Sequence, residues 1–247
     1  MRVIALTTAT PEVRPGARVH VDAIVVDPQG PRDVAVRWRL CRESGVGDPR
    51  GCAASPEGLD LGEGPRADLP VLSGPDGVYL VFAAACVGGT PTLDATIAHF
   101  RCVGGAPAEE VFRRVTVRTD GALNRPPAVA RWVLRQGARE VVLPDLPGGW
   151  VALPACAARG CAAWSVEVTP TEDAAESAGD GSMETLGVSF FVSAGATERP
   201  RDVALPGEVR ALTTRWTLGE GSGELWVVLR DQRGGETVRG VRVQSGP

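Results

Sequence analysis

From Gly223 to Arg230 the chain alternates: Leu225, Val227 and Leu229 take one parity, Trp226, Val228 and Arg230 the other. A period of two marks a strand with one face on a core and one face partly wet. Asp231-Gln232-Arg233-Gly234-Gly235 follows as turn chemistry, with two glycines free to take positive φ. Glu236 to Val243 returns with Val238, Val241 and Val243 as its apolar members, which predicts a closing β-hairpin.

The same alternation recurs upstream. Arg2 to Leu6 is a candidate first strand. In Arg18 to Val26, Val19, Val21, Ala23 and Val25 share one face, with His20, Asp22 and Ile24 on the other. In Val34 to Cys41, Val36, Trp38 and Leu40 point inward and Arg37 and Arg39 outward, so Trp38 is expected as a core residue. Arg66 to Leu72 and Val78 to Cys86 are further strands. Tyr79 opens the second of these after a Gly-x turn, where its hydroxyl is expected to bond nearby backbone. Glu109 to Arg118 completes this half.

Thr119 to Pro127 (TDGALNRPP) reads as a stiff linker with two consecutive prolines. The pattern then starts again. Strands are expected at Ala128 to Leu134, Arg139 to Leu143, Trp150 to Leu153, Trp164 to Val168, Leu186 to Ser193 and Ala211 to Leu218. Leu186 to Ser193 plays the part of Val34 to Cys41. The chain is thus two units of one plan, about 120 residues each. The fold class expected is all-β, two tandem immunoglobulin-like β-sandwich domains at 1–120 and 121–247.

Three segments stand outside this plan as long loops: Arg42 to Gly64, Val87 to Gly105 and Pro170 to Glu184. Glu198 to Arg210 is a proline-broken connection. The third loop is acidic, with Glu172, Asp173, Glu176, Asp180 and Glu184. Its spacing does not match an EF-hand, so a solvated, mobile loop is expected rather than a calcium site, and no metal ligand is assigned.

Composition narrows the function. At 247 residues with 43% apolar content, the chain can build two cores. A net charge of −4 argues against nucleic-acid binding through a broad basic field. All 26 basic residues are arginine, which reads as codon bias before it reads as a need for guanidinium groups. No run of apolar residues is long enough to span a bilayer as a helix. No leader pattern precedes the first strand, so either the protein is cytosolic or a leader has been removed.

The six cysteines favour the second reading. Cys41 and Cys52, Cys86 and Cys102, and Cys156 and Cys161 are neighbours in sequence without metal-site spacing. Three disulfides and an oxidising compartment are expected. A Cys41–Cys52 bridge would contribute roughly 2–3 kcal/mol on the chain-entropy model.

Chemistry is sparse. His20 and His99 have no readable partner, and no nucleophile elbow, phosphate loop or dinucleotide fingerprint occurs. Gly219 to Gly223 is glycine-rich but joins two strands. No catalytic residue and no cofactor is assigned.

The strings LWVVLRDQRGG, NRPPAV and PEVRPG, the last followed by alternating valines and then DPQG, resemble bacterial immunoglobulin-like and PKD-like surface domains. The whole chain resembles predicted secreted lipoproteins of myxobacteria. That resemblance implies a secreted, outer-membrane or cell-surface location, or the periplasm, with a lipid anchor outside this chain as the one membrane link. The function expected is a non-enzymatic envelope or surface protein that binds another protein or a glycan through its three long loops. The alternative is a structural subunit of an extracellular filament or surface assembly, joined by edge strands.

Overall fold

The computed structural model describes residues 2–27, 33–43, 57–94, 96, 99–104, 108–144, 149–154, 162–177, 181–208, 210–219 and 221–245. Residues 44–56 with Cys52, and residues 155–161 with Cys156 and Cys161, lie outside them. Every described element is a β-strand. The chain divides into two compact units, Met1–Arg125 and Pro126–Pro247.

Unit 1 contains β1 (Arg2–Thr7), β2 (Glu12–Val13), β3 (His20–Val26), β4 (Val34–Arg42), β5 (Leu59–Glu63), β6 (Arg66–Asp68), β7 (Gly77–Val87), β8 (Thr90–Asp94), β9 (His99–Val103) and β10 (Glu109–Val117). One sheet runs β1-β3-β6, the other β2-β10-β7-β4-β5, and β8 and β9 pair as a separate hairpin. The alternation in β4 holds: Val36, Trp38 and Leu40 are buried against Val3, Leu6, Val19, Val21 and Ala67 of the opposite sheet. The indole of Trp38 donates its N–H to the Gly64 carbonyl at 2.7 Å, so its one polar atom is satisfied inside the core. Tyr79 donates its hydroxyl to the Ser73 carbonyl at 3.2 Å, the corner bond its position suggested.

Unit 2 contains β11 (Val129–Gln136), β12 (Arg139–Val142), β13 (Gly149–Leu153), β14 (Trp164–Pro170), β15 (Gly187–Val192), β16 (Ala196–Thr197), β17 (Arg201–Val203), β18 (Leu212–Thr217), β19 (Gly221–Arg230) and β20 (Glu236–Ser245). Its sheets run β12-β11-β14-β18-β16 and β13-β20-β19-β15-β17. Trp132, Trp164 and Trp216 fill the core with Leu225, Val227 and Leu229.

The two units repeat one arrangement. In unit 1 the order β1-β3-β6 faces β2-β10-β7-β4-β5; in unit 2 β11-β14-β18 faces β13-β20-β19-β15-β17. In each the short first strand of the five-stranded sheet runs parallel to the last strand of the unit, β2 to β10 and β13 to β20. β4 and β15 take the same place in their sheets. Both are immunoglobulin-like sandwiches. Unit 2 adds β12 and β16 at sheet edges, and unit 1 adds the β8–β9 hairpin.

Several expectations change. Residues 119–124 are not a free linker. Thr119 donates its backbone N–H and hydroxyl to Asp76 at 2.6 and 2.7 Å. The buried carboxylate of Glu12 accepts from the Asn124 N–H at 2.8 Å and from Arg118 Nε at 2.9 Å. These bonds tie the segment to unit 1, and the division falls after Arg125 rather than at 120. In the closing hairpin only Gly234 of the glycine pair takes positive φ, at 90°. Asp231 shapes the rest of the turn by accepting the Arg233 and Gly235 N–H groups at 2.9 and 2.7 Å. Strands β5, β8, β9 and β17 stand where loops or connections were expected, and β16 where no element was assigned.

Candidate binding face

β7 is buried on both sides. Val81, Ala83 and Ala85 face the sandwich core, while Leu80, Phe82, Ala84 and Cys86 are buried on the outer face of the sheet. A sheet covered on two sides needs a continuous apolar run, and residues 78–86 supply one. The cover on the outer side includes the β8–β9 hairpin. Its Phe100 is buried, and Cys102 is bonded to Cys86 with 5.6 Å between their Cα atoms. Glu110 on β10 accepts the Phe100 N–H and pairs with His99 Nδ1 at 3.1 Å, which places β9 over the sheet. Beside it, Phe82 and Phe112 pack with centroids 5.7 Å apart. Arg114 lies 5.6 Å over the Phe112 ring and is held by Glu43 at 3.1 Å.

Between the hairpin and the β4–β5 edge is a cavity of about 210 Å³. Arg37, Arg39 and Asp60 line one side; Thr92, Leu93 and Phe100 line the other, with Trp38 also on the wall. The structure thus brings Asp60, from the expected surface at Arg42 to Gly64, together with Thr92, Leu93 and Phe100, from that at Val87 to Gly105. Arg37 clamps Asp60 through Nε and Nη2 and lies 3.8 Å from Glu63. The Arg37 guanidinium holds the Asp60 carboxyl below the usual carboxylate range, and the Gly62 N–H adds to the effect. Asp60 is therefore an ionised acceptor near neutral pH, not a proton donor. The wall combines an Arg–Asp pair with apolar side chains. That combination suits recognition of a partly polar ligand.

In the third surface, Pro170 to Glu184 of unit 2, Glu172 and Asp173 are exposed as expected of a solvated loop, Asp180 lies outside the described residues, and Glu184 departs from the expectation. Glu184 is 2% exposed. Its carboxylate accepts the Glu176 N–H at 3.0 Å, and Arg233 lies 3.5 Å from both Glu184 and Glu176. Ser177 and Met183 form a backbone bridge. The segment closes on itself against the turn of the last hairpin. Burial pushes the Glu184 carboxyl up, the nearby Asp231 and Glu176 push the same way, and the Glu176 N–H and Arg233 oppose it. Among the described residues no three His, Cys, Asp or Glu side chains are placed to hold a metal ion.

Both histidines have partners that the sequence did not reveal. His20 on β3 pairs with Asp68 on β6, and His99 pairs with Glu110. Cross-strand register supplies the first partner, His20 standing opposite Asp68, whereas His99 meets Glu110 because the β8–β9 hairpin packs over the sheet that holds β10. Cys41 is also disulfide-bonded. Cys52, Cys156 and Cys161, and with them two of the three expected pairings, lie outside the described residues.

No protein-family model matches the sequence, and no curated protein matches it. Among solved structures, the chain is similar to the fibronectin(III)-like modules of Clostridium thermocellum CbhA, at 13% identity over 98% of this chain and 94% of that one, TM-score 0.26. It is similar to the FN1–FN3 domains of chicken CNTN1, at 7% identity over 99% of this chain and 68% of that one, TM-score 0.27. It also spans 22% of Escherichia coli alpha-2-macroglobulin, at 14% identity over 99% of this chain, TM-score 0.26. The sandwich assignment stands on the strand orders and cores given above.

Proposed function

We propose that the chain is a non-catalytic module of the cell envelope or cell surface that binds a protein or a glycan through the hairpin-covered face of unit 1. The observation that carries this reading is the cavity between the β8–β9 hairpin and the β4–β5 edge, with the hairpin held by Cys86–Cys102. A bridged hairpin is a preorganised surface, and preorganisation lowers the ordering cost of binding. The disulfide is compatible with a secreted or surface location. The ionisable groups at the face are engaged in pairs that fix geometry: Arg37 with Asp60, His99 with Glu110, Arg114 with Glu43.

The test is a glycan array and an array of envelope proteins, probed with the full chain and with Leu93→Asp. Loss of binding in Leu93→Asp, with the fold retained, supports the reading. Binding that ignores Leu93 refutes the site. The structural-subunit reading is favoured by β5, a sheet edge whose Leu59 is 48% exposed. Light scattering separates the two, because an assembly subunit forms oligomers at micromolar concentration and the binding module stays a monomer.

A further inference from the structure

Unit 2 carries an aromatic row on the outer face of its β13-β20-β19-β15-β17 sheet. Trp150 on the edge strand β13 is 60% exposed. In register with it stand Arg242 on β20 and Glu224 on β19. The Arg242 guanidinium lies 5.7 Å from the Trp150 ring centroid. Arg242 Nε donates to Glu224 Oε1 at 3.1 Å, and Trp226 Nε1 donates to Glu224 Oε2 at 3.2 Å. One row along, Trp226 stands opposite Gly240. A Cβ at Gly240 would come within 2.4 Å of the indole, so the absent side chain lets Trp226 lie across the sheet. Each member fixes the next: indole, guanidinium, carboxylate, indole.

The other four tryptophans, Trp38, Trp132, Trp164 and Trp216, are buried. Core packing therefore does not account for this pair. From strand spacing and rise, the Cα atoms of Trp150 and Trp226 are about 12 Å apart. That separation fits a chain of units better than one small molecule. Between the indoles the Arg–Glu pair offers donors and an acceptor with no net charge. Such a pair matches the hydroxyls of a neutral ligand and gives an ionised one no advantage. An indole face attracts the positive C–H edges of an apolar surface. Pyranose rings with equatorial hydroxyls present that surface on their flat faces and hydroxyls along their edges.

We propose that this face is a second binding site, independent of the hairpin face of unit 1, that takes neutral β-linked glucan or xylan chains. Trp150 and Trp226 stack on sugar rings while Arg242 and Glu224 bond their hydroxyls. The test is affinity electrophoresis of the full chain in native gels containing mixed-linkage β-glucan, xyloglucan or arabinoxylan, with tryptophan fluorescence titration of the same polymers. The wild type is expected to be retarded by at least one polymer. Trp150→Ala should weaken that binding about fivefold or more, since one stacking contact is worth on the order of 1 kcal/mol. Arg242→Met keeps a side chain over Trp150 but removes the donors, and should also weaken binding. Val142→Ser, at an exposed position on β12 in the other sheet of unit 2, should bind as the wild type does. Retardation by none of the three polymers, or retardation unaffected by Trp150→Ala, overturns the proposal. Dimerisation that Trp150→Ala abolishes also overturns it, because the face would then be a contact between copies.

Discussion

Removing the Cys86–Cys102 bridge tests how the hairpin is held. The bridge spans a sequence separation of 16. On the chain-entropy model, closing a loop of that size is worth about 3 kcal/mol. Without the bridge, the hairpin keeps the burial of Phe100, worth about 1.5–3 kcal/mol, and the bonds from Glu110. A double Cys86→Ala/Cys102→Ala variant should therefore keep its hairpin docked but open it more often. A loss of about 3 kcal/mol raises the open population roughly a hundredfold. Native-state hydrogen exchange reads this directly. Amides of 90, 92–94 and 99–103 should exchange about a hundred times faster in the variant. Amides of β14 and β18 in unit 2 should be unchanged. Unchanged exchange in the hairpin would refute the reasoning, because packing alone would then hold it. Hairpin amides already unprotected in the wild type would refute the docked geometry itself.

Other outcomes follow from the charged groups and glycines. Glu184 has a carboxyl pushed up by burial, so its protonated form is favoured by folding. Its contribution is full below the unfolded value and is lost as pH rises through the raised folded value. In urea unfolding, the wild type should thus gain stability relative to Glu184→Gln as pH falls from 7 to 4, and the opposite trend would contradict the burial. Asp202 is held at about 2 by bidentate Arg210 and by backbone N–H groups. Its contribution is present above the ordinary carboxylate range and lost as pH falls towards 2. Acid unfolding should show the wild type losing about 1–2 kcal/mol relative to Asp202→Asn over that window, after allowing for partial solvent screening. Gly195 has φ of 78°, and a Cβ there would sit 2.0 Å from the Thr217 carbonyl oxygen. Gly195→Ala should destabilise unit 2 by about 2 kcal/mol or more in thermal or urea unfolding, and a neutral effect would refute the β16–β18 pairing.

The sequence was most legible where burial is one-sided and regular. Val36, Trp38 and Leu40, like Leu225, Val227 and Leu229, alternate because one sheet face meets the core, and that placed the central strands of both units. The short edge strands were illegible. β5 carries Asp60, Gly62 and Glu63 on an exposed edge, and β8 carries Pro91, which reads as a break. Such strands need neither a long apolar run nor a fully paired ladder. The acidic segment looked solvated because charge was counted without its partner. Arg233, far along the sequence, lies 3.5 Å from both Glu176 and Glu184 through contacts that only the folded hairpin creates. The candidate face was half legible. Its two segments were recognisable as long insertions stapled by cysteines, but their convergence on Arg37, Asp60 and Phe100 depends on how β8–β9 lies over the sheet.

The account depends most on that hairpin being fastened to the outer face of β7. A non-reducing tryptic map of the native protein tests it directly. The account predicts that peptide 67–101, carrying Cys86, is joined to peptide 102–113, carrying Cys102. Free thiols at both cysteines, or Cys86 joined to any other cysteine, would contradict it.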